Sequence, residues 1–337
     1  MSLDFRSDNT HGCSLEILEA LARANRGTMS SYGDDEITAR MREQCRELFE
    51  CDLEVFPVLT GTAANALSIA SMTPSTGSIV CHEDAHIRLE ELGASELFTG
   101  GAKLIPLSGA DGKLLVNDVD RVETFSCLSF AQTTEAGTVY RIDEVRALCD
   151  VARSRDAGVH MDGSRFANAV VALGCAPADV SWRAGVDILS FGATKNGVMC
   201  AEVIVVFRKD LAAALAPHWH RSGHRLSKMR FLSAQLEAYF TDDLWLRNAR
   251  LANAAASRLA SGLHQHLEIV RPVEANFVFV RISPSLVETL RGRGFDFYDW
   301  QLFGPDVYRL ATAYATTDAE VDAFIETVRT SVSGPRA

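Results

Sequence analysis

The sequence predicts an α/β protein: a large domain on a mostly parallel sheet covered on both faces, then a small C-terminal α/β domain. Three observations carry this. At 337 residues the chain is long enough for one large domain plus a smaller one. Strand-like apolar runs alternate with helical segments through the first two thirds, the pattern of a parallel sheet wrapped by helices. Near Arg230 the texture changes to long helix. The large domain is assigned to residues 1–247 and the small one to 248–337.

The elements follow in order. "SLEILEALARANRG" (14–27) reads as an amphipathic helix with Ser14 as N-cap and Gly27 just past its end. "DEITARMREQCRELFE" (35–50) places Ile37, Met41, Leu48 and Phe49 at helical spacing. "EVFPVLTGTAANALSIASM" switches from strand to helix at Thr60-Gly61-Thr62. Strands are expected at "SIVCH" (78–82), "CLSFAQ" (127–132), "GVHMDG" (158–163), "DILSFG" (187–192) and "AEVIVVF" (201–207), with a helix at 143–158. The long helix after Arg230 breaks near Thr241–Asp243. "ANFVFVRIS" (275–283) and "VYRLATAY" (307–314) are strand-like, and a last helix opens with Thr317 and Glu320 at capping-box spacing. Its stripe is Val321, Phe324, Ile325 and Val328.

The totals exclude several roles. The chain is 47% hydrophobic and 23% charged, an ordinary globular balance. A net charge of −11 without a Lys/Arg block disfavours nucleic acid and anionic membranes as partners. No segment approaches eighteen uninterrupted apolar residues, and the polar N-terminus lacks a signal-peptide core. Eight cysteines are spread evenly without a C-x-x-C pair; they read as reduced thiols in a cytoplasm. No metal ligand is assigned.

Three places hold candidate chemistry. In "GATKNG" (192–197), Lys195 stands among small residues between two runs that look buried. Burial lowers a lysine pKa toward the range where the neutral amine attacks carbonyls, though a loop lysine reaching solvent is the commoner case. At Thr60-Gly61-Thr62 a helix N-terminus could bind an anion, or simply be capped. Asp162 ends an apolar strand, where open α/β sheets bind ligands, with Arg165 three residues on; a structural ion pair or helix cap explains them equally well. In that order the three make equipment for pyridoxal phosphate. Lysine holds the aldehyde, aspartate pairs with the ring nitrogen, and the turn holds the phosphate; Thr194, next to Lys195, is a further cofactor-binding candidate.

At this point the chain resembles a known family. "FRSDN" (5–9), "SYGDDEIT" (31–38), "LTGTAANALSI" (59–69), "CHEDAHI" (81–87), "HMDGSR" (160–165) and "YRLATAY" (308–314) resemble, in order, the motifs of the low-specificity L-threonine aldolases. These are fold-type I pyridoxal-phosphate enzymes of the β-eliminating lyase superfamily. The resemblance spans nearly the whole chain. It implies a seven-stranded-type sheet in the large domain and a tetramer built from two dimers. It implies retro-aldol cleavage of L-threonine, L-allo-threonine or L-β-phenylserine to glycine and an aldehyde.

The resemblance also implies roles. Lys195 holds the cofactor, Asp162 pairs with its ring nitrogen, His86 stacks on its ring, and Gly61 and Thr62 hold its phosphate. Ser7, Arg165 and Arg309 hold the substrate carboxylate, Tyr32 borders the active site, and Arg230 reaches a neighbouring subunit's phosphate. His86, acting through water, is the expected β-hydroxyl base.

Two stretches depart from the family pattern. "AQTTEAGTVY" (131–140) lacks the family's histidine, leaving Thr133, Thr134 or Glu135 in that space. "RSGHRLSKMRF" (221–231) replaces a glycine-rich loop and brings His220, His224 and Lys228 into the region. Both look like a branch that includes phenylserine-cleaving enzymes. β-Elimination, transamination and racemisation use the same cofactor equipment and remain the alternative reactions. A non-catalytic relative would have lost the lysine or the acid, and both are present.

Overall fold

A seven-stranded sheet forms the centre, built from β2 (Glu54–Val58), β3 (Ser78–His82), β4 (Lys103–Leu107), β5 (Cys127–Ala131), β6 (Gly158–Gly163), β7 (Ile188–Phe191) and β8 (Glu202–Val206). Their spatial order is β2-β8-β7-β6-β5-β3-β4. Only β8 runs antiparallel to its neighbours, β2 and β7. β6, β7 and β8 are buried at every position, as strands covered on both faces must be. The computed structural model describes residues 3–332. Within them, the large sheet is the mostly parallel one that the sequence predicts.

The register lines up the carboxyl ends of the central strands. Ala131 pairs with Asp162, and Asp162 with Ser190. The chain therefore leaves β5, β6 and β7 side by side, and three loops share one edge. His160, in the middle of β6, hydrogen-bonds Ser129 and Ser190 at 2.9 Å each. Burial pushes its pKa down to about 4, so it is a neutral core group and not part of the site.

Helices Leu15–Ala24, Glu36–Phe49, Gly61–Met72 and Arg230–Phe240 pack around this sheet. Asp35 caps the second by accepting from the Thr38 N–H at 2.8 Å. Ser14 precedes the first without capping it; its hydroxyl accepts from Asn248 instead. The helix break is where the sequence places it: Asp242 and Asp243 adopt φ of 52° and 53° between Arg230–Phe240 and Leu244–Leu263.

The smaller sheet is antiparallel, with order β12-β13-β10-β9, from β9 (Glu268–Ile269), β10 (Phe277–Arg281), β12 (Tyr298–Asp299) and β13 (Val307–Ala311). The last helix, Asp318–Val332, carries a true capping box between Thr317 and Glu320. Val321, Phe324 and Val328 of its stripe are buried in the second core. The N-terminus also joins this unit. β1 (Leu3–Asp4) pairs in parallel with β11 (Phe295–Asp296), and Phe5 packs on Phe324 with ring centroids 5.3 Å apart. The 247/248 boundary falls inside the single helix Leu244–Leu263.

Candidate active site

Lys195 sits in a tight turn, Thr194–Asn196, directly after β7. Glycine is required on both sides of it. A Cβ on Gly192 would lie 2.4 Å from the Ser164 carbonyl oxygen, and Gly197 has φ +102°. The turn is fixed from below by Glu202, a buried residue at the start of β8, whose carboxylate accepts from the N–H groups of Ala193 and Thr194. Asn196 donates to Tyr239 Oη (2.7 Å) and the Trp245 carbonyl (2.8 Å). Lys195 itself is half-buried. In place of an apolar pocket, it stands within electrostatic reach of Asp8, Glu135, Asp162 and Glu202.

Two adjoining recesses share Asn9, His86, Ser164 and Lys195. The first is lined by Thr60, Gly61, Thr62, Asn65, Glu91, Thr194 and Glu202. Thr60 caps the helix Gly61–Met72 by accepting from Ala63 N–H at 3.1 Å. Among the described residues no acceptor takes the N–H groups of Gly61 and Thr62, and the space beside Gly61 is open. A helix N-terminus of this kind favours an anion.

A hydrogen-bonded chain runs behind the recesses. Asp162 Oδ1 accepts from Ser164 N (2.9 Å) and Oγ (2.5 Å), and its Oδ2 accepts from Asn65 Nδ2 (2.8 Å). Burial works to raise the Asp162 pKa, but the Ser164 bonds and the charges of His86 and Lys195 outweigh it, holding the carboxyl below its usual range. Asn65 also donates to Glu91, which bonds His86 Nδ1 at 2.9 Å. The Glu91 bond raises the His86 pKa against the opposing effect of burial. Asn65, Glu91, Ser164 and Glu202 are among the members of this site that sequence reasoning missed.

The second recess adds Ser7, Thr133, Glu135, Asp162, Arg165, Tyr298, Trp300 and Arg309. Arg309 is buried, with its guanidinium stacked over Trp300 (4.3 Å) and Phe277 (4.8 Å). Burial, together with the like charge of Arg165, lowers its pKa to about 10. Among the described residues its buried Nε has no partner, nor do Thr133 Oγ1 and Trp300 Nε1. Arg165 differs from expectation. Its Nε and Nη2 are engaged by Asp8 at 2.7 and 2.8 Å, so half of its fork already holds a carboxylate. Asp8 also accepts from Asn276 at 3.0 Å.

Two expected residues lie elsewhere on this chain. Tyr32 is exposed at φ 60°, with Arg225 over its ring, and lines neither recess. Arg230 reaches the Gly27 carbonyl and also lines neither.

Taken together, the two recesses suit a planar aldehyde bearing a phosphate. Lys195 and the Asp162 carboxylate face the second, His86 walls both, and the open N–H groups of Gly61 and Thr62 stand in the first.

The fold places the protein among the α/β enzymes of fold type I. A solved threonine aldolase from Leishmania major superposes with a TM-score of 0.90 at 25% identity, covering 98% of this chain and 99% of that one. A model of the β-eliminating lyases matches residues 4–285. The chain belongs to that family, on its threonine-aldolase branch. It is 42% identical to the low-specificity L-threonine aldolase of Pseudomonas aeruginosa, over 87% of this chain and 88% of that protein. It is 38% identical to the enzyme of the same description from a Pseudomonas sp. strain, over 98% and 99%. The resemblance read from the motifs holds.

Proposed function

We propose that the protein is a cytoplasmic, pyridoxal-phosphate-dependent lyase that cleaves L-β-hydroxy-α-amino acids, among them L-threonine, L-allo-threonine and L-β-phenylserine, to glycine and an aldehyde. One observation carries the cofactor: Lys195 and an Asp162 held ionised face the same recess, beside the open N-terminus of Gly61–Met72. The names of the relatives support the reaction. No helix among the described residues is long and apolar enough to cross a membrane.

Lys195 would hold the cofactor aldehyde and Asp162 its ring nitrogen. Gly61, Thr62 and Thr194 would hold its phosphate, with His86 against the ring. When bound, the cofactor supplies an electron sink for the bond broken at the substrate α-carbon. Arg309, fixed between aromatic rings and by an Nη2 bond to the Arg6 carbonyl at 3.1 Å, offers its remaining N–H groups to the substrate carboxylate, and Ser7 lies beside it in the same recess. Arg165 contributes its Nη1, which has no partner among the described residues, while Nε and Nη2 are held by Asp8. Tyr32 and Arg230, off their own site, would serve a neighbouring copy in a dimer of dimers; sedimentation equilibrium giving a monomer would exclude this.

The test is release of glycine and aldehyde from L-threonine and L-β-phenylserine by purified protein with added pyridoxal phosphate. Cleavage that disappears in Lys195→Ala is expected, because the substitution removes a covalent step. A keto acid in place of the aldehyde would assign one of the other reactions.

A further inference from the structure

The segment after β5 carries an acid with no visible structural task. Gln132 locks that segment by exchanging two 2.9 Å hydrogen bonds with the Tyr140 backbone. The Thr134 hydroxyl turns away from the recess, toward Thr138 Oγ1 (2.7 Å) and the Asp111 carbonyl (3.2 Å). Gly137, at φ +76°, packs the loop against Phe277. Between these anchors Glu135 faces the second recess, together with His86, Lys195 and Arg309.

Four other acids around Lys195 are engaged, and Glu90, which also lines the second recess, is exposed to solvent. Asp8 holds Arg165 and Asn276, and Asp162 holds Ser164 and Asn65. Glu91 holds His86 and Asn65, and Glu202 holds two backbone N–H groups. Among the described residues Glu135 has no hydrogen-bond or ion-pair partner. His86 is a poor alternative acceptor, since its bond to Glu91 favours the protonated ring.

We propose that Glu135 is a catalytic residue: its carboxylate takes the β-hydroxyl proton of the substrate. The proposal rests on the aldolase reading. As the O–H bond breaks, its proton passes to Glu135 and its electron pair forms the aldehyde C=O bond. The Cα–Cβ bond breaks, its pair stays with Cα, and Cα takes up a proton to give glycine. Release of the Glu135 proton to water restores the carboxylate.

Burial pushes the Glu135 pKa up, and nearby Asp162 adds to this. His86, Arg165 and Lys195 pull the other way, and Arg309 is a further cation within reach. Glu135 is a base only when deprotonated, so activity should rise with pH through an acidic limb above the usual glutamate range.

The experiment compares wild type and Glu135→Gln, both loaded with pyridoxal phosphate. Glycine affinity is read from the cofactor absorbance, and kcat and its pH profile from aldehyde release. Glycine has no β-hydroxyl, so its affinity should not change. The kcat should fall by about a hundredfold to ten-thousandfold, the usual contribution of a general base, and the acidic limb should vanish. Wild-type turnover with the limb intact overturns the assignment. So does loss of glycine binding in parallel with turnover, which marks a structural role. If Glu135→Gln does not fold, Glu135→Asp serves: a displaced limb supports the proposal, and an unchanged limb and turnover overturn it. A wild-type protein that binds glycine but cleaves neither substrate sinks the aldolase reading itself, a result distinct from the others.

Discussion

Asp8 shows how a single residue can serve the site without facing the chemistry. Burial works to raise its pKa, but the ion pair with Arg165 and the Asn276 bond more than offset this and hold it low. The folded value lies below the unfolded one. Its stabilisation is therefore complete above about pH 4, the ordinary carboxylate value, and is lost as pH falls through the depressed folded value. Asp8→Asn should destabilise the protein by about 3–5 kcal/mol at neutral pH, the usual cost of leaving one charge of a buried pair. Urea unfolding across acid pH should show the difference from wild type shrinking only at the acid extreme. The sequence reveals Lys195 and Asp162 because each is marked by its own neighbours: small residues around one, an apolar strand before the other. It does not reveal Asp8, Asn65, Glu91 or Glu202. The partners of Asp8 and Asn65 are distant in the chain; those of Glu91 and Glu202 are near, but nothing adjacent marks these two as buried acids.

At the scale of elements, the turn between β7 and β8 depends on the close approach of two backbones. Gly192→Ala must push the Lys195 turn off Ser164, because the nearest atoms are backbone and cannot rotate aside. Overpacking of this kind costs about 1–3 kcal/mol. A lower melting temperature is expected, together with weaker uptake of pyridoxal phosphate followed by absorbance; wild-type values for both would contradict the argument. The buried strands β3 and β5–β8 are legible within a residue or two because both their faces are covered and most positions are apolar or small. The edge strand β4, "KLIPL", is not: its burial is partial throughout and it contains Pro106. The reversed direction of β8 is also hidden. Strand apolarity says nothing about polarity of the chain, and the Lys195 turn could as well have led to a crossover.

At the scale of the molecule, the smaller unit is closed by the first residues of the chain. Phe5 is buried among Phe295, Phe324 and Leu310, and its carbonyl accepts from the Ala311 N–H at 2.8 Å. Phe5→Ala should cost about 3–5 kcal/mol in denaturant unfolding, more than an N-terminal position suggests. Ser7, Asp8 and Asn9 follow directly and enter the site, so the same segment joins the core of one unit to the catalytic edge of the other. This ordering has a consequence during synthesis. A growing chain emerges from its N-terminus first, at about 5–20 residues per second, so Phe5 waits on the order of tens of seconds for Phe295 and Ala311. Until they emerge, the large sheet can form but its pocket has no wall on the Arg309 side. The enzyme is therefore competent only when almost all of it has been made, and a truncated nascent chain carries Lys195 without the groups that confine it.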